Sequence, residues 1–241
     1  MQRGRVKVLS EAESEESTTE LLRVLGEVVA PLALAMPLPS EVVLHDLRRL
    51  PNSIVSITGN ATGRRIGDPA TDVLLQHLQS GEDVVVGYPT DLPDGREGRS
   101  TTVILRLEGG DPFAALCVNV DVTGWRAAGQ SVERFLRVGG AEQVASRIPD
   151  TSLAPTTSPR PSEGEMFVRN VEELATELIR REIARIGIPV EEMKKRHKLR
   201  VVAGLESRGM FMLRDAVDTV ALALNVTRFT IYNYMSELAS E

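Results

Sequence analysis

The sequence Phe-Ala-Ala-Leu-Cys-Val-Asn-Val-Asp-Val, residues 113–122, alternates between apolar and polar positions over its second half. Positions 116, 118, 120 and 122 are aliphatic, whereas the positions between them are Cys117, Asn119 and Asp121. Successive side chains of an extended chain point to opposite faces, so this period of two predicts a strand with one buried face.

Four similar segments precede this strand and are separated by turns rich in Gly, Pro and Asp: 41–48, 53–58, 83–90 and 101–107. A short helix is predicted at 71–79. A longer helix is predicted to begin at the capping box Ser17/Glu20 and to end at Pro31. Short strands joined by hairpin-length turns predict an α+β domain with an antiparallel sheet and flanking helices, rather than a doubly wound fold.

The last third of the chain has only helical patterns, which predicts a separate all-α domain. Its first helix begins at the capping box Asn170/Glu173 and ends at Gly187. A second helix follows Pro189 and stops at Gly209, a third covers 213–224, and a fourth starts at Thr227. The sequence thus predicts a mobile acidic tail (1–19), a sensor domain (20–148), a linker with four prolines (149–164) and a helical domain (165–241).

Composition limits the class of protein. The chain has 241 residues, 42% of them hydrophobic and 26% charged, with a formal net charge of −6, which excludes collagen-like and fully disordered chains. A single cysteine forms no intramolecular disulfide, as expected in a reducing cytosol. The apolar stretch 21–38 is interrupted by Arg23, Glu27, Pro31 and Pro37, so it cannot span a bilayer, and we expect a cytoplasmic protein.

The third and fourth helices are joined by only Asn225 and Val226, which is the spacing of a helix-turn-helix. At about 100° per residue, the outer face of the fourth helix carries aromatic, amide and basic side chains and no carboxylate between residues 227 and 236. Such a face favours reading of double-stranded DNA over mere solubility. The candidate DNA-binding residues are Thr227, Arg228, Phe229, Tyr232 and Asn233. A hairpin whose aromatics pack on another subunit or on the first domain is the alternative.

The first domain contains no recognisable catalytic or metal-binding pattern. The three histidines lie on different predicted elements, and His45 and Asp46 are neighbours on a strand and point to opposite faces. Cys117, between apolar neighbours, is assigned to packing rather than to a nucleophile. We therefore predict no catalytic residues, no metal and no cofactor. Eight polar residues surround the sheet and either complete loops or converge on a small polar ligand: His45, Arg64, Asp68, Tyr88, Thr90, Thr101, Asn119 and Asp121.

Several motifs together resemble a known family. The runs His45-Asp46, Gly63-Arg64, Tyr88-Pro89-Thr90 and Cys117-Val118-Asn119, in this order, are similar to the YheO-like PAS domain. Thr227-Arg228-Phe229-Thr230-Ile231-Tyr232-Asn233-Tyr234 is similar to the helix-turn-helix that accompanies it, including in the D-arginine utilisation repressor. The resemblance implies that these groups line the PAS pocket, which adds Asp46 and Cys117 to the ligand-binding candidates. An amino acid is one candidate effector, but the loop 59–62 departs from the family pattern, so the effector need not be one.

The resemblance and the helix face together predict a sequence-specific bacterial transcriptional regulator that responds to a small-molecule effector. One recognition helix contacts few base pairs, so a homodimer or larger oligomer is expected on a pseudo-palindromic operator. Repression and activation are both open. The alternative is a metabolite-binding protein or enzyme that uses the helical domain only for oligomerisation.

Overall fold

The N-terminal half of the chain is built on one antiparallel sheet. The computed structural model describes residues 11–37, 39–107, 110–138 and 165–239. The strands are β1 (Ser40–Asp46), β2 (Ile54–Gly59), β3 (Val84–Asp91), β4 (Glu97–Arg106) and β5 (Pro112–Asp121), in the order β2-β1-β5-β4-β3. All neighbouring strands are antiparallel. The predicted α+β class and its five strands are therefore confirmed, with boundaries displaced by a few residues.

One face of the sheet is covered by helix α1 (Glu11–Ala35), which packs on Val42 and Leu44 of β1 and on Phe113 of β5. This helix is longer than predicted at both ends. Residues 11–19 were predicted to lie in a tail, but they are helical, and the buried Thr18 hydroxyl accepts a 2.9 Å hydrogen bond from Arg48. The predicted stop at Pro31 is also wrong, because the apolar contacts of Leu32 and Ala33 with the sheet continue beyond it.

Two further helices belong to this half. Helix α2 (Asp72–Ser80) confirms the predicted short helix, and the Thr71 hydroxyl caps it by accepting from the amide of Leu74 at 3.2 Å. Helix α3 (Thr123–Val138) follows β5 directly and was not predicted. Its described side chains from Thr123 to Leu136 are all exposed, so it projects from the domain rather than packing on it.

The C-terminal part contains α4 (Val171–Ile186), α5 (Lys195–Ser207), α6 (Ala216–Ala223) and α7 (Arg228–Leu238). The Asn170 side chain caps α4 by accepting from the amide of Glu173 at 2.6 Å, and Gly187 ends it at φ 67°. Thr227 caps α7 in the same way. The four predicted helices are confirmed, although the third begins at Ala216 instead of residue 213. The predicted linker, 149–164, lies outside the described residues.

The two parts share one apolar core. Val43 of β1 and Leu74 of α2 belong to the same buried cluster as Leu178 of α4 and Leu205 of α5. Gly209, at φ 70°, lies so close to Leu75 of α2 that an added Cβ would be 2.8 Å from the Cβ of Leu75. The helical part is therefore docked on the face of the sheet opposite α1, through α2.

Substitution of Gly209 tests how closely the helical part packs against α2. Gly187 is the matched control, because it has a similar φ of 67° but no atom within 4 Å of a built Cβ. Gly187→Ala should lower the free energy of unfolding by about 1–2 kcal/mol through backbone strain alone. Gly209→Ala should cost about 1–3 kcal/mol more because of the overlap with Leu75. Equal losses of stability in urea titrations of the two variants would contradict the tight contact.

Candidate functional site

The sheet face opposite α1 carries an unusual number of buried polar side chains. Strand alternation places Glu41 and His45 of β1, Cys117 and Asn119 of β5, Ser100 and Thr102 of β4, and Tyr88 and Thr90 of β3 on this face, and all of them are buried. Arg64 from the β2–α2 loop and Thr71 at the start of α2 are buried beside them. We call this set the polar pocket.

Glu41 is the acceptor at the centre of the polar pocket. Its carboxylate accepts from the Thr62 hydroxyl at 2.6 Å and from the Thr62 amide at 3.1 Å. The Asn119 amide nitrogen donates to the same carboxylate at 3.2 Å, and Ser100 donates to the Asn119 oxygen at 2.8 Å. A buried carboxylate is tolerated here because several donors replace its water.

Arg64 provides the positive charge of the polar pocket. Its Nε donates to the Thr62 hydroxyl at 3.2 Å, its Nη2 lies 3.6 Å from Glu41 Oε1, and its guanidinium carbon is 5.0 Å from the centre of the Phe167 ring. Its Nη1 is buried and has no hydrogen-bond partner among the residues that the structure describes. A buried guanidinium donor without an acceptor is costly, so this atom is suited to an acceptor from a ligand.

A carboxylate from the C-terminal part enters the polar pocket. Glu165 is 9% exposed, and its Oε1 and Oε2 accept from the hydroxyls of Thr71 at 2.7 Å and Thr90 at 3.1 Å. Burial raises the pKa of Glu165, while the bonds from Thr71 and the charge of Arg64 act in the opposite direction. The next amide, that of Met166, donates to the Asp72 carboxylate at 2.8 Å.

Asp72 connects the polar pocket to the helical part. Its Oδ2 lies 3.7 Å from Arg208 Nη1, at the end of α5, and 4.0 Å from Arg181 Nη1 of α4. Arg208 also pairs with the buried Glu182 of α4, with 2.8 Å between Nε and Oε1. Burial is the largest influence on Asp72 and raises its pKa. The turn that begins α2 is thus bonded both to the segment after residue 164 and to two helices of the C-terminal part.

The other titratable groups of the polar pocket are held in their neutral forms. His45 Nδ1 is 2.8 Å from the Ser53 hydroxyl, and burial, with the charge of Arg64, lowers the pKa of His45 well below its usual range. Burial raises the pKa of Tyr88 well above its ordinary value and that of Cys117 to about 12. A thiol that stays protonated near neutral pH is a poor nucleophile, so these groups suit binding rather than covalent chemistry.

The structure separates the predicted ligand-binding residues into two groups. His45, Arg64, Tyr88, Thr90, Cys117 and Asn119 lie together in the polar pocket. Asp46 is on the opposite face of β1, where it caps a turn and pairs with Arg48 at 2.9 Å. Thr101 accepts from the amide of Gly87 at 3.0 Å on the outer face of β4, and Asp68 accepts from the amide of Arg65 at 2.8 Å in a loop. Asp121, at the end of β5, pairs with Arg96 at 3.0 Å and accepts from the amide of Thr123 at 2.9 Å. Whether any of these ten residues binds a ligand stays a prediction.

Sequence reasoning missed four members of the polar pocket, Glu41, Thr71, Ser100 and Thr102, and it also missed Glu165, which enters the pocket from the C-terminal part. The alternation that selected His45 also places Glu41 on the same face of β1, so it could have been found. The sheet register places Thr102, rather than Thr101, on the face of the polar pocket, because Thr102 lies opposite Cys117. Glu165 carried no local signal, because its partners lie 94 and 75 residues away in the chain.

The second candidate site is the α6–α7 hairpin. Asn225 adopts a left-handed φ of 49°, and the amides of Asn225 and Val226 donate to the carbonyls of Leu222 at 3.2 Å and Ala221 at 3.0 Å. These two backbone hydrogen bonds end α6 abruptly and fix the direction of α7. Ala221, Leu224 and Ile231 are buried in the angle between the two helices.

The outer face of α7 presents the predicted DNA-binding residues to solvent. Phe229 and Tyr232 are 73% and 55% exposed, and Thr227, Arg228 and Asn233 are exposed as well. The Thr227 hydroxyl accepts from the Thr230 amide at 3.2 Å, and the first turn of α7 contains no acidic residue. Arg228 is not isolated, because its Nε lies 2.6 Å from Asp218 Oδ1 on α6. The absence of a carboxylate between residues 227 and 236 could not reveal the Arg228–Asp218 pair, because Asp218 lies outside that stretch.

Neither a metal cluster nor a membrane span is found in the described part of the chain. No three or more His, Cys, Asp or Glu side chains are grouped there so that they could hold an ion. None of its helices combines the length and the apolar character that crossing a bilayer requires.

Comparison with known proteins finds family matches for both parts of the chain. Residues 15–137 match the family described as the YheO-like PAS domain, and residues 174–236 match an HTH domain family. YheO of Escherichia coli (strain K12) is 26% identical over 238 residues, which cover 97% of this chain and 91% of that protein. The transcriptional regulator DauR of Pseudomonas aeruginosa is 25% identical over 225 residues, covering 93% and 96%. The crystal structure of the phage VqmA–DPO complex aligns over 92% of this chain and 90% of that chain, with 11% identity and a TM-score of 0.34.

Proposed function

Because the chain belongs to the family of the YheO-like PAS domain and carries an HTH domain behind it, we propose that it is a cytoplasmic, sequence-specific transcriptional regulator whose PAS domain senses a small molecule. The observation that carries the proposal is the outer face of α7, which exposes aromatic and amide groups where a merely solvated helix has Glu and Lys. DauR, to which this chain is similar, is a transcriptional regulator, which supports the same assignment.

The side chains of this face match the groups that DNA offers in its major groove. Asn233 can bond an adenine edge in bidentate fashion, and Phe229 and Tyr232 can pack on thymine methyl groups or sugars. Arg228 can bond guanine once it leaves Asp218. Thr227, at the N-terminus of α7, can contact a phosphate there, because the helix dipole favours negative charge.

Basic residues near the hairpin add phosphate contacts. Lys194, Lys195 and Arg196 are exposed at the start of α5. Lys195 also pairs with Glu237 of α7 at 2.7 Å, and Lys198 donates to the carbonyl of Leu224 at 2.7 Å. Part of this basic cluster therefore holds α7 and the end of α6 against α5. The net charge of −6 should keep nonspecific binding weak and leave discrimination to α7.

Helix α3 supports a homodimer. Trp125, Ala128, Val132 and Phe135 follow one another at intervals of three and four residues, the spacing of a two-stranded coiled-coil seam. Trp125, Val132 and Phe135 are 64%, 59% and 79% exposed. This spacing matches itself in a second copy of the helix, so a second α3 is the occupant that we propose, and a dimer would place two α7 helices on two half-sites.

The polar pocket supports a ligand-sensing and non-catalytic role for the PAS domain. It combines a buried arginine, hydroxyls and an amide, which can bind a small polar molecule. The protonated Cys117 thiol argues against the alternative of an enzyme that uses a cysteine nucleophile.

Selection of bound sequences from random duplex DNA tests the proposed function. It should be run on the full chain with and without a panel of amino acids and related carboxylates. We expect an inverted repeat whose half-sites are about 10 base pairs apart, enriched to a different degree with one member of the panel. A pool that shows no enriched motif under any of these conditions would rule out the sequence-specific regulator.

Asp218 should restrain DNA binding, because its carboxylate pairs with Arg228 and lies beside α7. Asp218→Asn should strengthen binding to random-sequence duplex DNA, and the salt dependence of log K should become steeper by about 0.9 per protomer, the effect of one additional phosphate contact. Fluorescence anisotropy at several salt concentrations measures this slope. Glu16→Gln, which removes an exposed charge on α1, is the control and should leave the slope unchanged. Equal slopes for Asp218→Asn and the unaltered chain would show that Asp218 does not keep Arg228 from the phosphates of random DNA.

A further inference from the structure

Residues 165–169, which we call the docking segment, bind the polar pocket as a ligand would. Both oxygens of the Glu165 carboxylate accept hydroxyl bonds, from Thr71 at 2.7 Å and from Thr90 at 3.1 Å. Met166 and Val168 are 5% and 9% exposed, and Arg169 donates to the carbonyl of Gly63 at 3.3 Å. The segment therefore fills a polar site of the PAS domain while belonging to the chain that begins the helical part.

The groups around Glu165 form a donor set for a carboxylate. Two threonine hydroxyls converge on it, and the buried guanidinium of Arg64 lies close enough for its charge to oppose the rise in the pKa of Glu165. Arg64 Nη1 is buried without a partner among the described residues, so the polar pocket retains one strong donor that Glu165 does not use. A molecule with its own carboxylate could occupy the two hydroxyls and satisfy this donor as well.

The docking segment is also the mechanical connection to the helix-turn-helix. Asn170, the residue after it, caps α4, and the Met166 amide bonds Asp72, which faces Arg181 and Arg208 of the helical part. Withdrawal of Glu165 would therefore loosen the contact between α2 and the helices that carry α7. An occupant that replaces Glu165 shifts the equilibrium between a docked and a released arrangement.

We propose that Glu165 is an internal ligand of the PAS pocket, and that the effector is a small carboxylate that takes its place on Thr71, Thr90 and Arg64 and so releases the docking segment. This inference rests on the proposed function in one respect, that the PAS domain senses a small molecule. It adds the chemical class of the effector and the contact that the effector breaks.

Acetate is the probe, because Glu165→Ala removes the CH2–COO⁻ group that acetate replaces. In the full-length chain, Glu165→Ala should raise hydrogen exchange at the Met166 amide by about 10-fold or more, since the two carboxylate bonds hold the docking segment closed. Acetate at 0–100 mM should raise the melting temperature of this variant by at least about 2 °C over sodium chloride of equal ionic strength. The unaltered chain, whose site Glu165 fills, should show no such rise.

Thr90→Val is the second variant, because valine has the shape of threonine and the Thr90 hydroxyl donates to Glu165. In a chain that keeps Glu165, Thr90→Val should raise hydrogen exchange at the Met166 amide. In the double variant with Glu165→Ala, Thr90→Val should reduce the rise in melting temperature that acetate produces. Continued protection of Met166 in both single variants, or an equal acetate response in all chains, would overturn the proposal. These measurements are made without DNA, so a negative result would not affect the proposal that α7 reads DNA. A chain that passes them but binds no DNA sequence would refute only the proposed regulator.

Discussion

Loss of two side chains on α7, Arg228→Ala with Asn233→Ala, is expected to reduce the preference of the protein for its selected operator over random DNA by about 100-fold or more. Each bidentate contact to a base edge contributes about 1–3 kcal/mol of discrimination, and a dimer would lose four such side chains. Binding to random DNA should change far less, because it depends on phosphate contacts. Anisotropy titrations of operator and scrambled duplexes at one salt concentration give the ratio.

Arg49→Ala with Asn52→Ala is the matched control for this experiment. Both residues are exposed and lie in the connection between β1 and β2, so the same chemical change is made outside the helical part. The folded state should tolerate both double variants, because the Arg228–Asp218 pair is exposed and such pairs contribute about 1 kcal/mol or less. A specificity ratio that falls equally in both double variants would show that α7 does not read bases.

Phe135→Glu should convert the protein from dimer to monomer. In the proposed α3 seam this side chain would be buried against its symmetry mate, and a carboxylate there would have to be desolvated without a partner. The operator dissociation constant should rise by about 100-fold or more, because a monomer engages one half-site. Analytical ultracentrifugation gives the mass in solution, and anisotropy gives the affinity.

Gln130→Glu provides the comparison, since residue 130 lies on the side of α3 opposite the seam. It adds the same charge to the same helix and should leave the dimer intact. A Phe135→Glu chain that remains dimeric would exclude α3 as the interface and would leave its exposed aromatics without the role proposed for them.

The elements that local patterns define were predictable. The alternation at Cys117 and Asn119 placed β5 and its two faces correctly, because the period of a strand is two wherever one face is buried. The Asn170 and Thr227 caps fixed the starts of α4 and α7, and the left-handed Asn225 gave the turn between α6 and α7. These features depend on neighbours within a few residues, which the sequence shows directly.

The features that were missed depend on distant or absent partners. Helix α3 contains Gly124 and Gly129, and its apolar stripe faces no part of the described chain, so it lacks the core contacts that would support a helix prediction. The pairing of Glu165 with Thr71 and Thr90 joins residues on either side of the predicted linker. The tail predicted through Thr19 failed for a similar reason, since Thr18 is held by Arg48.

Methylation interference on the selected operator tests the central claim, that α7 reads base edges in the major groove, most directly. The expected result is two patches of interference at guanine N7 in the major groove, about 10 base pairs apart on one face of the duplex. Both patches should disappear in the Arg228→Ala, Asn233→Ala chain. Interference confined to the minor groove, or a pattern that this double variant leaves unchanged, would contradict the account.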